Sequence, residues 1–303
     1  MQIKLRIYLL LFAFFLFIVD RLLNINIDTQ ISFLVFVLIL FGVPHGALDL
    51  YIDQHLNPTS SNTKIFLLKY LMNILIYSLI WYFFPILAIC IFIVITAFHF
   101  GEVDWIGKTN TILHKLAYTI IGFLWILFLL SKNIHFALII FLKMGRSSIS
   151  ASELTQLATK LYPVTLWSLL VVYLLLYLFR QYFFNSKSAY FYSLLQLSIL
   201  VCFALFMPLW ICFAFYFGFW HSLLSFDRIR IAFNITNNFS GWKQLLIKAI
   251  PFSIMAWFGF VYITFLSFNS NDTSGIFTLL FVTLAVLALP HLQVFTKIKP
   301  VIN

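Results

Sequence analysis

The chain has 303 residues, of which 63% are hydrophobic and only 9% are charged. A soluble globular protein is about half apolar and about a quarter charged, so this composition excludes an ordinary soluble fold. Apolar runs of about 17 residues or more recur along the chain, and each is long enough to cross roughly 30 Å of hydrocarbon. The composition therefore predicts an all-α, polytopic integral membrane helix bundle in a lipid bilayer.

The net charge of +10 raises the question of nucleic-acid binding. The 19 basic residues are spread among short loops and form no dense patch or tail, which is typical of loop charges that set membrane topology. The three cysteines lie inside apolar runs without paired spacing, which indicates neither a disulfide framework nor a CxxC site. We therefore expect no nucleic-acid partner and no thiolate ligand.

Hydropathy divides the chain into ten predicted helices, nine or ten of them membrane-spanning, which form a single transmembrane domain over residues 1–303. Two apolar runs are too long for one span and are split near Pro85 and Pro208. Residues 134–142 are too few to cross and are expected to be interfacial or re-entrant, and the polar residues 144–160 are predicted to form a loop. The predicted helices cover 5–20, 29–51, 65–83, 85–104, 111–131, 161–180, 189–206, 208–226, 244–268 and 275–294.

The distribution of basic residues predicts the orientation. With the N-terminus inside, the ten-helix layout places 14 of the 19 Lys and Arg residues on the cytoplasmic side. Cytoplasmic loops carry an excess of Lys and Arg, so this bias is the expected one. We therefore predict a multi-pass protein of the cell inner (plasma) membrane with both termini in the cytoplasm.

Four histidines interrupt the apolar helices at one predicted depth. They are His45 in FGVPHGALD, His99 in AFHFGEVDW, His221 in FGFWHSLLS and His291 in LALPHLQVF. Each lies five to eight residues before the charged residue that marks the inner boundary of its helix, and all four helices run in the same direction. These boundary residues are Asp53, Asp104, Asp227 and Lys297. At about 1.5 Å per residue, the four lie roughly 8–12 Å below that boundary. Because ionisable groups are costly inside a membrane, this coincidence predicts a shared metal site.

Two carboxylates accompany these histidines. Asp49 lies four residues after His45, and Glu102 lies three residues after His99, so each pair shares a helix face. A metal-bound imidazole usually donates its other N–H to a carboxylate or carbonyl, so we expect both acids to orient a histidine of their own or a neighbouring helix. A set of imidazoles suits Fe, Zn, Cu or Ni. The remaining histidines are interpreted as surface or interfacial groups: His55, His114 and His135.

The stretches GVPHGALDL, FHFGEVDW, FGFWHS and LPHL resemble, in order and spacing, the motifs of the Brp/Blh family of integral membrane β-carotene 15,15′-dioxygenases. The resemblance implies cleavage of the central double bond of β-carotene by O2, with histidine-bound Fe(2+), giving two molecules of retinal. In bacteria that retinal supplies a rhodopsin. The resemblance also implies that His45, His99 and His221 are catalytic iron ligands. The family's next histidine is replaced here by Ser225, so the fourth ligand is either water or His291.

Two alternatives belong to other classes of protein. A metal-transporting protein needs polar residues that continue towards both faces of the membrane, whereas the outer halves of the four histidine-bearing helices are nearly all apolar. A non-catalytic carotenoid- or retinal-binding protein is compatible with the same composition, and Ser225 leaves room for it.

Overall fold

A computed structural model describes residues 2–59, 62–133, 150–268 and 273–298. Over those ranges the chain forms ten long helical rods and no β-strand, which confirms the predicted all-α fold. The rods are α1 Gln2–Leu23, α2 Ile27–Leu56, α3 Thr63–Phe83, α4 Pro85–Asp104, α5 Ile112–Lys132, α6 Ala151–Leu178, α7 Lys187–Phe206, α8 Leu209–Ala232, α9 Phe239–Phe268 and α10 Thr273–Phe295. A single further turn, Arg180–Phe183, follows α6.

Eight of the rods, α2 to α9, are long and apolar enough to cross a membrane. The charged residues of α1 lie near its two ends, and within the described residues α10 contributes the apolar helix Phe281–Phe295. The described residues therefore support a multi-pass membrane protein with eight candidate spans, together with two more helices where the first and the tenth were predicted.

The boundaries near prolines agree with the predictions, whereas one predicted loop is wrong. Pro85 is the first residue of α4, and Pro208 immediately precedes α8. At the start of a helix the backbone N–H has no partner within the helix, so a proline there loses no hydrogen bond. Residues 151–160, predicted to lie in the 144–160 loop, form the first turns of α6. Ser150 and Glu153 form a capping box that starts this helix. The polar residues of this stretch are also typical of a loop, which is the reason for the loop prediction. The predicted 134–142 segment lies outside the described residues.

The four histidine-bearing helices form a closed ring. Helix α2 contacts α8, α8 contacts α4, α4 contacts α10, and α10 contacts α2. Helices α3, α5 and α9 pack against the outside of this ring, and many of the apolar side chains of α3 and α9 remain exposed. Because most backbone groups of a helix are satisfied within the helix, such apolar surfaces are suited to contact lipid. The four histidines lie at the centre of this ring.

Helices α4 and α5 cross closely at two glycines. A Cβ atom on Gly101 would lie 2.0 Å from the carbonyl oxygen of Tyr118, and one on Gly122 would lie 2.1 Å from that of Ala97. Small residues at such positions allow membrane helices to approach each other. Since Gly101 is two residues from His99, the crossing sets the height and rotation of that histidine.

We expect Gly101→Ala to destabilise the protein by about 1–3 kcal/mol or more, because the added methyl group forces α4 and α5 apart. Thermal unfolding in detergent measures the effect. Gly259→Ala in α9 is the matched control, since its new Cβ atom meets nothing within 4 Å. Equal melting temperatures for the two variants would contradict the proposed crossing.

Both α2 and α8 contain a π-helical segment at the histidine level. The segment Leu38–Gly42 precedes His45, and the segment Ala214–His221 ends at the histidine itself. The two segments pack against each other, and a Cβ atom on Gly218 would lie 2.1 Å from Val37 Cγ1. Widened turns of this kind occur frequently at functional sites.

The π-helical turn of α2 has a substitute hydrogen-bond donor. Val43 donates to the carbonyl oxygen of Leu38, and the next bond in the same pattern would run from residue 44 to Ile39. Pro44 has no N–H to donate. The indole Nε1 of Trp257, on α9, donates instead to the Ile39 oxygen at 3.1 Å. This contact stabilises the widened turn that carries His45.

Candidate metal centre

Four imidazole rings face one another at the centre of the helix ring. The ring centroid of His45 lies 5.2 Å from that of His221 and 5.1 Å from that of His291. The centroid of His99 lies 4.7 Å from that of His221 and 5.1 Å from that of His291. All four side chains are buried. The structure therefore brings together the four histidines that share one predicted depth.

Two of the rings are held by their Nδ1 atoms. His45 Nδ1 lies 2.5 Å from the Gly42 carbonyl oxygen and 3.2 Å from the Ser222 hydroxyl. His291 Nδ1 lies 2.8 Å from Asp49 Oδ1. A carbonyl or carboxylate acceptor places the ring proton on Nδ1, which leaves the lone pair of Nε2 free to bind an ion. These are the contacts expected of metal-binding imidazoles.

The other two rings have no hydrogen-bond partner among the described residues. Both nitrogens of His99 and both nitrogens of His221 are buried and unpaired, as is Nε2 of His291. Buried polar atoms without partners are costly and rare, so this concentration of unpaired nitrogens is the arrangement expected of metal ligands. A metal ion would satisfy them, because imidazoles that share one ion at about 2.1 Å have centres roughly 4.5–5.5 Å apart.

The trio His45, His99 and His221 is the tightest part of the cluster. Their candidate ligand nitrogens all lie within 4.8 Å of one another. These three histidines could hold a metal ion, and His291 faces the same centre from α10. The donors are all imidazole nitrogens, a set that suits divalent transition metals.

Asp49 contacts a neighbouring helix's histidine rather than its own. Its Oδ1 pairs with His291, and its Oδ2 accepts a hydrogen bond from the Tyr70 hydroxyl at 2.9 Å. The carboxylate is 3% exposed and joins α2, α3 and α10. The sequence leaves open whether Asp49 orients a histidine of its own helix or of a neighbouring helix. In the structure it contacts the histidine of the neighbouring helix.

Glu102 makes no hydrogen bond to a histidine within the described ranges, which differs from the sequence-based expectation. It forms a buried, two-point ion pair with Arg228, with N–O distances of 3.1 Å. The guanidinium lies over the ring of Phe295, 4.8 Å from its centroid. Phe295 in turn contacts the rings of His99 and His291. Glu102 therefore supports the cluster indirectly, through an ion pair and an aromatic ring.

Removing Glu102 is expected to destabilise the fold strongly. Glu102→Ala leaves the Arg228 guanidinium buried without its carboxylate, which typically costs about 3–5 kcal/mol. Thermal unfolding in detergent measures the change. The control is Lys297→Ala, which removes a half-exposed ion pair with Asp53 at 3.5 Å and should cost less than about 1 kcal/mol. Similar losses in both variants would contradict a special role for the buried pair.

A second carboxylate network joins α4 to α8 and was not predicted. Asp104 accepts hydrogen bonds from the Tyr216 hydroxyl at 2.7 Å and from Trp220 Nε1 at 2.8 Å. Arg6 of α1 donates to the backbone oxygens at the end of α4, which satisfies carbonyls that have no partner in their own helix. From the sequence, Asp104 serves only as a marker of the membrane boundary. In the structure it fixes the helix of His99 against that of His221.

Ser225 and the histidines outside the cluster differ in how deeply they are buried and in what they contact. Ser225 is fully buried one turn after His221, and its hydroxyl has no hydrogen-bond partner among the described residues. His55 is exposed and stacks on Phe233, as expected for a surface histidine. The same interpretation is wrong for His114, which is buried, caps α5 and lies 2.8 Å from a backbone oxygen. His135 lies outside the described residues.

The fold and the site define a polytopic membrane protein with a buried histidine cluster that could hold a metal ion. Residues 36–299 match a family model described as beta-carotene 15,15′-dioxygenase. A protein of that name from uncultured marine bacterium 66A03 is 27% identical over 268 residues, which cover 84% of this chain and 89% of that protein. No solved structure gives a comparable match. The chain belongs to the β-carotene 15,15′-dioxygenase family and is a carotenoid-cleaving oxidoreductase.

Proposed function

We propose that this chain cleaves the central 15,15′ double bond of β-carotene with O2, giving two molecules of retinal, at an iron ion held by histidines. The observation that carries the proposal is the cluster of buried imidazoles with unpaired nitrogens, at the centre of a chain of this family. We assign His45, His99 and His221 as ligands, and His291 as the fourth. The whole chain, residues 1–303, acts as one transmembrane domain.

The donor set agrees with iron. Imidazole nitrogens suit Fe(II), Zn(II), Cu(II) and Ni(II), and a reaction with O2 favours the redox-active ions among them. Bound Fe(2+) would supply the activation of O2 that an organic side chain cannot provide. His45 and His291 contribute rings fixed by Gly42 and Asp49, so these two ligands need little rearrangement when the ion binds.

The surrounding side chains keep water away from the cluster and offer an apolar wall. Phe217 lies nearly parallel to the ring of His221, and Phe213 lies nearly parallel to Phe217 one turn earlier on α8. Phe100 contacts both His221 and Phe217. An apolar polyene dissolved in the bilayer would pack favourably against such a wall, which carries no competing hydrogen-bond donor. Excluding water also protects reactive species from side reactions.

We further propose that the protein resides in the inner (plasma) membrane with both termini in the cytoplasm, and that its retinal serves a rhodopsin. The bias of basic residues towards one side supports the orientation. The Brp/Blh resemblance supports the rhodopsin connection. A site that draws its substrate from lipid would release an apolar product into the same membrane.

Expression in a β-carotene-producing bacterium tests the reaction. We expect the yellow colour to fade and retinal to accumulate in pigment extracts analysed by liquid chromatography. A variant lacking His99 is the matched negative control. Unchanged β-carotene, with the protein present in the membrane and iron supplied, would overturn the proposal and favour a non-catalytic carotenoid-binding protein.

A further inference from the structure

A line of hydrogen bonds connects the histidine cluster to Tyr70, a residue that no sequence motif singled out. The Tyr70 hydroxyl on α3 donates to Asp49 Oδ2 at 2.9 Å. The other oxygen, Asp49 Oδ1, accepts from His291 Nδ1 at 2.8 Å. The far nitrogen of that ring, Nε2, is buried and unpaired beside the other histidines. Three helices thus contribute one residue each to a line that ends at the cluster.

The outer end of this line borders an open cavity of about 300 Å³. Tyr70 lines the cavity, and so do Pro290, directly before His291, and Val294, one turn later. The cavity also carries polar groups that can hold water, among them Asn57, Asn73 and Gln293. Asp49 does not line it and is 3% exposed. Tyr70 therefore stands between a space suited to water and the carboxylate that holds His291.

Because Tyr70 both lines the cavity and contacts Asp49, loss of its hydroxyl would open a route for water to this carboxylate. A buried carboxylate oxygen that loses a hydrogen bond is destabilised, and rotation towards water would relieve that loss. Such a rotation would leave His291 Nδ1 without its acceptor. The ring could then turn or change its tautomer, and its Nε2 would no longer be held at the cluster. The Tyr70 hydroxyl opposes that rotation.

We propose that Tyr70 is a positioning residue of the metal centre, whose hydroxyl holds Asp49 against His291 and away from the neighbouring cavity. This inference rests on the metal centre of the proposed function. Tyr70 itself touches no ligand nitrogen, and it acts through Asp49. A group hydrogen-bonded to a metal ligand, as Asp49 is, typically contributes a factor of about 10–100 to metal affinity, and Tyr70, one hydrogen bond further out, is expected to act at the lower end of that range.

The test is a Co(II) titration of the purified, metal-free protein in detergent, followed by the visible absorption of the bound ion. We expect Tyr70→Phe to bind Co(II) about 10-fold more weakly and to shift the absorption bands, because one imidazole is no longer fixed. Tyr77→Phe is the matched control. Tyr77 is buried two turns further along α3, and its hydroxyl donates to the Ala88 backbone at 2.9 Å. We expect its Co(II) affinity and spectrum to equal those of the unsubstituted protein.

A double-mutant cycle separates positioning from general loosening of the fold. If Tyr70 acts through Asp49, then adding Tyr70→Phe to Asp49→Ala should weaken Co(II) binding no further. Additive losses would overturn the proposal, as would an unchanged affinity and spectrum in Tyr70→Phe alone. Neither result would affect the proposed reaction. Failure of the unsubstituted protein to bind Co(II) or Fe(II) would overturn both the positioning role and the metal centre.

Discussion

Replacing His99 with alanine is expected to abolish both iron binding and retinal formation. Its ring lies 4.7 Å from that of His221 and 5.1 Å from that of His291, and neither of its nitrogens has a partner among the described residues. Among the described residues, the two histidines outside the cluster are engaged elsewhere, His55 at the surface and His114 with a backbone oxygen. Since even indirect partners of a metal contribute about 10–100-fold to affinity or activity, loss of a direct ligand should exceed 100-fold.

Iron per protein and retinal in pigment extracts are the two measurements for His99→Ala. His55→Ala is the matched control, because His55 is an exposed histidine that stacks on Phe233 away from the cluster. We expect that variant to retain its iron and its activity. Full activity of His99→Ala, in protein that accumulates normally, would refute the site as described.

Replacing His291 with alanine should reduce iron affinity and activity by at least about 10-fold, whereas Ser225→Ala should change neither. The ring of His291 lies 5.1 Å from both His45 and His99, and Asp49 holds it so that Nε2 is free. A serine hydroxyl is a poor ligand for Fe(II). Ser225 also has no hydrogen-bond partner in the described structure, so removing its hydroxyl sacrifices no protein contact.

The two variants form a direct comparison at the fourth position. Iron content and retinal yield are measured side by side, together with the melting temperature of each protein. The reverse pattern, with Ser225→Ala inactive and His291→Ala unaffected, would place the fourth ligand on α8. In that case α10 would only close the helix ring around a site of three histidines.

The convergence of the four histidines could be predicted from the sequence, although two of the boundary residues used to predict it have further roles in the structure. The depth was measured from charged residues taken as boundary markers, including Asp104 and Asp227. In the structure Asp104 accepts hydrogen bonds from α8, and Asp227 pairs with Arg230 inside the bundle. The four rings meet nevertheless, because Asp104 and Asp227 both lie near the ends of their helices, a few residues after His99 and His221. The apolar runs predict where the helices lie. The residue spacing along each helix then predicts the depth of its histidine and the helix face on which it lies.

Pairings between distant helices could not be predicted. Glu102 lies on the same helix face as His99, yet its partner is Arg228, 126 residues further along the chain. Asp49 likewise pairs with His291 and Tyr70 on two other helices. Neither choice has a local signature, because both depend on how the helices pack around the ring. The π-helical segments before His45 and at His221 also depend on this packing.

Iron analysis combined with X-ray absorption spectroscopy of the purified protein tests the histidine-bound iron most directly. We predict about one iron per chain, with nitrogen neighbours at about 2.1 Å, several imidazoles in the first coordination sphere and no sulfur. Iron coordinated by sulfur, or protein that converts β-carotene to retinal after all iron has been removed, would contradict the account.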